Sequence, residues 1–256
     1  MSLEFWGPDE YDRHAQTKYE AGELDSAVRI LREGVAIYPE VAELRVSLGY
    51  TELAREEYAW ARRAFEGALR FEPDHEDALV GMGESLIKLG ERGRGFRAFD
   101  TVLELGFSTD ADLMISIGRI LLREGLFERS ERFLRLAAAA DPEGTEAPMD
   151  LGSVLQQLDR PQEASEWFSR AIERDPDNHD ARALLGNLLY EQGDRRAALA
   201  QFRRIPPGAL WDTLTIWQIV ELVRACDAET AEAGISPYLL RLEELLAGMR
   251  PEDRLI

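Results

Sequence analysis

Apolar side chains recur along almost the whole chain at spacings of three and four, in runs broken by short polar turns. That period is the face of an amphipathic helix and not the alternation of a strand, so the pattern predicts helices joined by tight turns. One run carries Leu44, Leu48 and Thr51; the next carries Ala61, Ala64, Phe65, Ala68 and Leu69. Pro73 then ends the second helix, because proline has no N–H to give to the helical ladder. The stretch "WARRAFEGALRFEPD" at 60–74 returns 103 residues later as "EASEWFSRAIERDPD", with Ala61, Phe65, Ala68 and Pro73 becoming Ala164, Phe168, Ala171 and Pro176.

The repetition holds over most of the sequence. Small residues fall at Ala15, Gly49, Gly83, Gly118, Gly152 and Gly186, with spacings of 34, 34, 35, 34 and 34. A second set twelve positions later, Ala27, Ala61, Gly95, Ser130, Ala164 and Ala198, keeps the same spacings. Four further on stand Leu31, Phe65, Phe99, Leu134, Phe168 and Phe202, and Pro39, Pro73, Pro142 and Pro176 close four of the six units. A glycine inside a helix costs about 1 kcal/mol against alanine. Its return at a fixed interval predicts a packing need: two helix axes approaching closely, with the large apolar residue filling the gap to the next pair.

This ladder over residues 8–212 resembles the tetratricopeptide repeat, a helix–turn–helix unit of 34 residues. The unit "MDLGSVLQQLDRPQEASEWFSRAIERDPDN" carries most of its markers. The resemblance implies an all-α fold, a right-handed α-solenoid of antiparallel helix pairs in which the first helix of each pair lines a concave groove. Residues 1–7 then form an N-terminal arm, in which Phe5 and Trp6 either pack on the first pair or meet another chain. The third unit has 35 residues and turns at Gly106 where proline is usual, with Ser108 or Thr109 to cap the next helix. Pro206 and Pro207 shorten the last second helix. Residues 213–256 are expected to cap the stack: "LTIWQIVELVRA" as one more helix, a loop near 226–235, and a final helix with Pro237 at its start.

Composition narrows the chemistry. The net charge of −19 opposes nucleic acid and anionic lipid. Twenty-eight of the 30 basic residues are arginine, which fits either adaptation to high salt or a codon bias on an ordinary acidic protein. Cys226 is the single cysteine, so no intramolecular disulfide forms. The histidines at 14, 75 and 179 have no cysteine or second histidine near them in sequence, and Asp74, Glu76 and Asp77 read as acids at a helix start, so no metal or other cofactor is expected. "MSLEFWGPDEYD" has neither a basic nor an apolar leader region, and no run of 18 apolar residues follows, which predicts a cytoplasmic chain. There is no glycine-rich phosphate loop, no His-Glu-x-x-His and no G-x-S-x-G, so the reading is not an enzyme.

The resemblance carries the family's groove positions to particular residues. In the first half they are Tyr19, Tyr50, Leu53, Glu84, Ile87 and Lys88, then Arg119, Leu122 and Arg123. In the second half they are Gln156, Asn187, Tyr190 and Trp217. Many are apolar or aromatic on a face that would otherwise be wet. Lys88, Arg119 and Arg123 gather near the centre; Glu84 pairs with Lys88 at i,i+4 and lies beside Arg119, leaving an excess of about two positive charges. That cluster suits an acidic side chain or a free carboxylate. Members of the family that bind chaperone tails use Lys and Asn at set groove positions; of the Asn positions Asn187 alone is matched, which speaks against chaperone tails, while its amide offers a donor and an acceptor to a peptide backbone. The function expected is a non-catalytic scaffold or adaptor binding a peptide or partner helix. The alternatives are a structural module that self-associates into a homo-oligomer, and a non-catalytic subunit of a larger enzyme or secretion assembly.

Overall fold

The computed structural model describes residues 6–226 and 231–248 of the chain, and among the described residues every regular element is helical. The contacts divide into two compact units, Met1–Glu124 and Gly125–Ile256. The first holds α1 (Pro8–Glu20), α2 (Leu24–Ile37), α3 (Ala42–Ala54), α4 (Tyr58–Ala68), α5 (Glu76–Lys88), α6 (Arg92–Glu104) and α7 (Ala111–Arg123). The second holds α8 (Phe127–Ala140), α9 (Glu146–Gln157), α10 (Pro161–Arg174), α11 (His179–Glu191), α12 (Arg195–Phe202), α13 (Thr213–Cys226) and α14 (Ala231–Gly248).

Within the first unit α1 packs on α2, α3 on α4 and α5 on α6. Each pair meets the next through α2 with α3 and α4 with α5. The second unit repeats the arrangement with α9 on α10, α11 on α12 and α13 on α14. The short links leave no freedom for another order, since a helix with one apolar face must bury it against its nearest neighbour. All three ladders of the sequence are buried, and the large apolar positions Leu31, Phe65, Phe99, Leu134, Phe168 and Phe202 are at most 1% exposed. Full burial of such a side chain is worth about 1.5–3 kcal/mol.

The small residues make room for those rings. A β-carbon built on Gly49 would fall 2.5 Å from the Phe65 ring, and one on Gly152 would fall 2.5 Å from the Phe168 ring. Gly83 faces Phe99 and Gly186 faces Phe202 in the same way. Phe65 also covers Gly81 of the following pair, so a single ring seals the joint between two pairs.

A further periodic feature lies in the short turns along the chain at intervals of 34 and 35 residues. Gly22, Glu56, Gly90, Gly125, Asp159 and Gly193 all have φ between 56° and 82°. Left-handed backbone suits glycine, and four of these six positions are glycine.

Several local expectations are corrected. Asp110, and not Ser108 or Thr109, caps α7: its carboxylate accepts from Leu113 N–H at 2.9 Å, while Phe107–Thr109 form a short 3-10 turn after the left-handed Gly106. Pro237 does not begin the last helix but lies inside α14. Ile235, Tyr238 and Leu242 are buried on either side of it at spacings of three and four, so packing carries the helix through the missing N–H. Trp6 packs on the first pair: its ring stacks on His14 at 4.2 Å and meets Tyr11 edge-on, and Tyr38 donates to its carbonyl at 2.9 Å. Phe5 and the segments 227–230 and 249–256 lie outside the described residues. None of the described helices is long and apolar enough to cross a membrane.

Candidate functional site

The expected groove residues of the first unit lie on α1, α3, α5 and α7. Tyr19 and Tyr50 border a cleft of about 290 Å³ with Gln16, Ser47 and Asp12. The Ser47 hydroxyl donates to Asp12 at 2.5 Å and ties α3 to α1. Tyr50 is held on both sides. Its ring meets Phe65 edge-on at 5.1 Å and its hydroxyl donates to the Asp77 carbonyl at 3.0 Å. Burial, reinforced by the negative charge of Asp77 and Glu84, pushes its phenol well above the usual tyrosine range. Leu53 and Leu122 are half-buried, and Leu53 packs beside Phe65. Ile87 is only 4% exposed and lies over Gly95 of α6, within the pair.

The central charges pair differently from the i,i+4 expectation. Glu84 accepts from Arg123 at 3.2 Å, and Lys88 meets Glu124 at 2.5 Å. The hydrogen bond to Glu124 raises the Lys88 pKa. Arg119 is half-buried. Glu124 is a second acid that the helical pattern did not supply, because it stands one residue past α7 and reaches across to α5. Lys88 and Arg123 therefore each face an acid, and the positive excess expected there is reduced.

The second unit presents a different surface. Gln156 donates to Glu191 at 2.7 Å, linking α9 to α11, and Tyr190 donates to Glu221 at 2.6 Å, linking α11 to α13. The bond to Glu221 also raises the Tyr190 pKa. Asn187 does not stand free: its amide N–H donates to the Thr215 hydroxyl at 3.2 Å. That hydroxyl also donates to Asp212 at 2.6 Å, and Asp212 accepts the Thr215 N–H at 2.8 Å at the start of α13. Trp217 is 52% exposed on a shallow hollow shared with Tyr190, Leu214 and Glu221.

Three residues of this surface escape a repeat-based reading. Trp211 is 70% exposed and Leu214 63% exposed, while the Trp211 indole N–H donates to Asp180 at 3.0 Å. Trp211 and Asp180 border a cavity of about 290 Å³, of whose lining the expected groove residues supply only Asn187, while Leu214 stands on the neighbouring hollow with Trp217. Its apolar side is Met149, Ala183, Leu184, Ile205, Ala209 and Leu210; its polar side is His179, Asp180, Asn187, Asp212 and Thr215. The cavity exists because Pro206 and Pro207 end α12 early and send residues 203–212 back over α11 as a loop. The signal for it in the sequence was the tryptophan in "PPGALWD", four residues after Pro207. Among the described residues no group of three His, Cys, Asp or Glu side chains could hold a metal ion.

Stacked helix pairs with buried small-to-large contacts every 34 residues define an all-α repeat scaffold. The tetratricopeptide repeat family model matches residues 13–79 and 80–145, more than half of the chain, and a second tetratricopeptide repeat model matches residues 155–209. The chain belongs to the tetratricopeptide repeat family, and its fold is the all-α solenoid of that family, whose members are in general non-catalytic scaffolds for protein–protein interaction. It is 22% identical over 217 residues to the BBSome complex member BBS4 of Bos taurus, covering 72% of this chain and 42% of that protein. It is 25% identical over 205 residues to the CTR9 homolog of Arabidopsis thaliana, covering 70% and 18%. The chain thus spans less than half the length of these two relatives. The solved structure of pilF from Pseudomonas aeruginosa superposes with a TM-score of 0.60 at 19% identity, covering 81% of this chain and 93% of that one.

Proposed function

We propose that this protein is a non-catalytic adaptor that docks a partner's peptide or helix on the surface formed by α11, the 203–212 loop and α13. The observation that carries the reading is the exposure of Trp211, Leu214 and Trp217 within one seven-residue stretch. Large apolar side chains in water forgo the gain of burial, and a cluster of them marks a binding surface. Tryptophan is among the residue types most enriched at the centres of protein interfaces. Asn187 and Tyr190 line the two hollows of this surface and are pre-oriented by their bonds to Thr215 and Glu221, and Gln156 of α9 adjoins it through its bond to Glu191 of α11. The bovine relative's description as a complex member supports a place in a multi-protein assembly.

An acidic side chain or free carboxylate at Arg119 and Arg123 has less support, because Arg123 and Lys88 already face Glu84 and Glu124. In the first unit, the cleft at Tyr19 and Tyr50 is a separate hollow bordered by α1 and α3.

A displayed random-peptide library, screened with the wild type and with Leu214→Glu/Trp217→Glu, tests the reading. Both side chains are exposed, so the variant folds. Enrichment by the wild type that the variant loses supports docking at α13; equal enrichment by both sinks it. Sedimentation over a hundredfold concentration range tests the self-association alternative, which requires a mass that rises with concentration and falls back in the same variant.

A further inference from the structure

The cavity beside Trp211 combines three features that together recognise one chemical group. One wall is aliphatic, built from Met149, Leu184 and Ile205. Two carboxylates border it, and the donors that hold them are neutral: the indole N–H for Asp180, and backbone N–H groups with the Thr215 hydroxyl for Asp212. These bonds orient the carboxylates without cancelling their charges. The third feature is the Trp211 ring itself, largely exposed, whose face attracts a cation.

An aliphatic stem ending in a cation is the form of an arginine or lysine side chain. Arginine fits better, because a planar guanidinium donates two parallel bonds to a carboxylate and stacks on an indole, whereas an ammonium is a compact, strongly hydrated point charge. We propose that this cavity takes an arginine side chain of the docked partner, with its stem against Met149, Leu184 and Ile205 and its guanidinium directed to Asp180, Asp212 and the Trp211 ring. The inference rests on the docking surface proposed above and names the ligand chemistry that surface selects. It gives the ligand the opposite charge to the one expected from Lys88, Arg119 and Arg123. The chain's net charge of −19 acts in the same direction, since it raises the encounter rate with basic segments. Glu191, which accepts from the neutral amide of Gln156, continues the acidic character along α11, whereas Glu221 of α13 faces Arg195 at 3.6 Å.

The test is an NMR titration of the full chain, following the Trp211 indole resonance, assigned through Trp211→Phe. The probes are N-acetyl-arginine methylamide, its neutral norleucine analogue and its glutamate analogue. The expected result is a saturable shift with the arginine probe, binding at least tenfold weaker for norleucine, and no response to glutamate. Asp180→Asn/Asp212→Asn should weaken the arginine probe at least tenfold. Asparagine still accepts the Trp211 bond and is as good a helix N-cap as aspartate, so the double variant keeps its fold. The proposal is overturned if norleucine binds as well as arginine, if the asparagine variant binds arginine unchanged, or if the indole does not respond. The comparison of probes on the wild type needs no variant at all. If the arginine probe fails while peptide capture still depends on Leu214 and Trp217, only the cavity assignment falls; if both fail, the docking surface falls with it.

Discussion

Phe65 occupies the space that a side chain on Gly49 would need: a β-carbon built there would lie 2.5 Å from the ring. The two residues are one packing device, with the large member on the second helix of the pair and the missing member on the first. Gly49→Ala should therefore cost about 1–3 kcal/mol as an overpacking change. Phe65→Ala should cost about 3–5 kcal/mol. The coupling between them has a sign that identifies the device. With the ring removed, Gly49→Ala should become neutral or stabilising, because alanine is the better helix former by about 1 kcal/mol. Urea denaturation of the two single variants and the double variant measures this; equal costs of Gly49→Ala in both backgrounds would contradict it.

The turns inside the pairs contain two residues in the wrong backbone for their type. Glu56 has φ of 60° and Asp159 has φ of 56°, at positions where other pairs carry glycine. A left-handed residue with a β-carbon costs roughly 1–2 kcal/mol, less for aspartate than for glutamate. Part of the relief is offset by the greater freedom of glycine in the unfolded chain. Glu56→Gly should raise stability by about 0.5–1 kcal/mol and Asp159→Gly by less, read as an upward shift in Tm. Destabilisation by Glu56→Gly would mean that its side chain has a role in the fold.

Glu52 is a carboxylate only 1% exposed, held by Arg32 at 2.7 Å and Arg55 at 2.7 Å. Removing one partner of a buried pair costs more than the pair contributes, since the other charge stays behind. Glu52→Ala should cost about 2–3 kcal/mol, at the low end for such changes because the arginines reach solvent. Glu52→Gln, which keeps the shape and one acceptor, should cost less. Calorimetry of both variants checks the order, and equal losses would show that packing rather than charge sets the cost.

Acid pH should find Glu163. Its hydrogen bond to Arg160 holds the carboxyl below the ordinary glutamate range. A depressed folded-state pKa gives stability that is fully present above the unfolded value of about 4.3 and is lost as pH falls through the lower folded value. The Tm difference between wild type and Arg160→Gln should thus be constant above about pH 5 and shrink below about pH 4. Both groups meet water, so the difference should also shrink in high salt. A difference that persists unchanged at about pH 2.5 would exclude this carboxylate as its source.

Thr215 is buried and its hydroxyl joins Asp212 to Asn187. Thr215→Val removes both bonds while filling the same space, and should cost about 1–3 kcal/mol through the unsatisfied partners. The same substitution should alter the Trp211 cavity, whose polar side includes all three residues. A shift of the Trp211 indole resonance in Thr215→Val reports that change, and an unmoved resonance would separate the network from the cavity.

Periodic features were legible along the chain because they repeat a local rule. The spacing of Gly49, Gly83, Gly152 and Gly186 against Phe65, Phe99, Phe168 and Phe202 follows from helix geometry, and each contact lies within one helix pair. The sequence alone therefore determined the helix pairs, their order and the identity of the core. It did not determine partners set by long-range approach. Glu84 has an i,i+4 lysine on its own helix, yet its carboxylate meets Arg123 of α7, while Lys88 meets Glu124. Side-chain reach between helices decided those pairs, and helical spacing does not encode it. The Trp211 cavity depends even more on tertiary structure. A proline pair told the chain to leave α12, but only the return of the 203–212 loop over α11 set Asp180 and Asp212, distant in sequence, on the rim of one apolar hollow. Repetition wrote the scaffold into the chain; the surface where it departs from repetition was decided by packing, because a loop's path is fixed by what it covers and not by its own period.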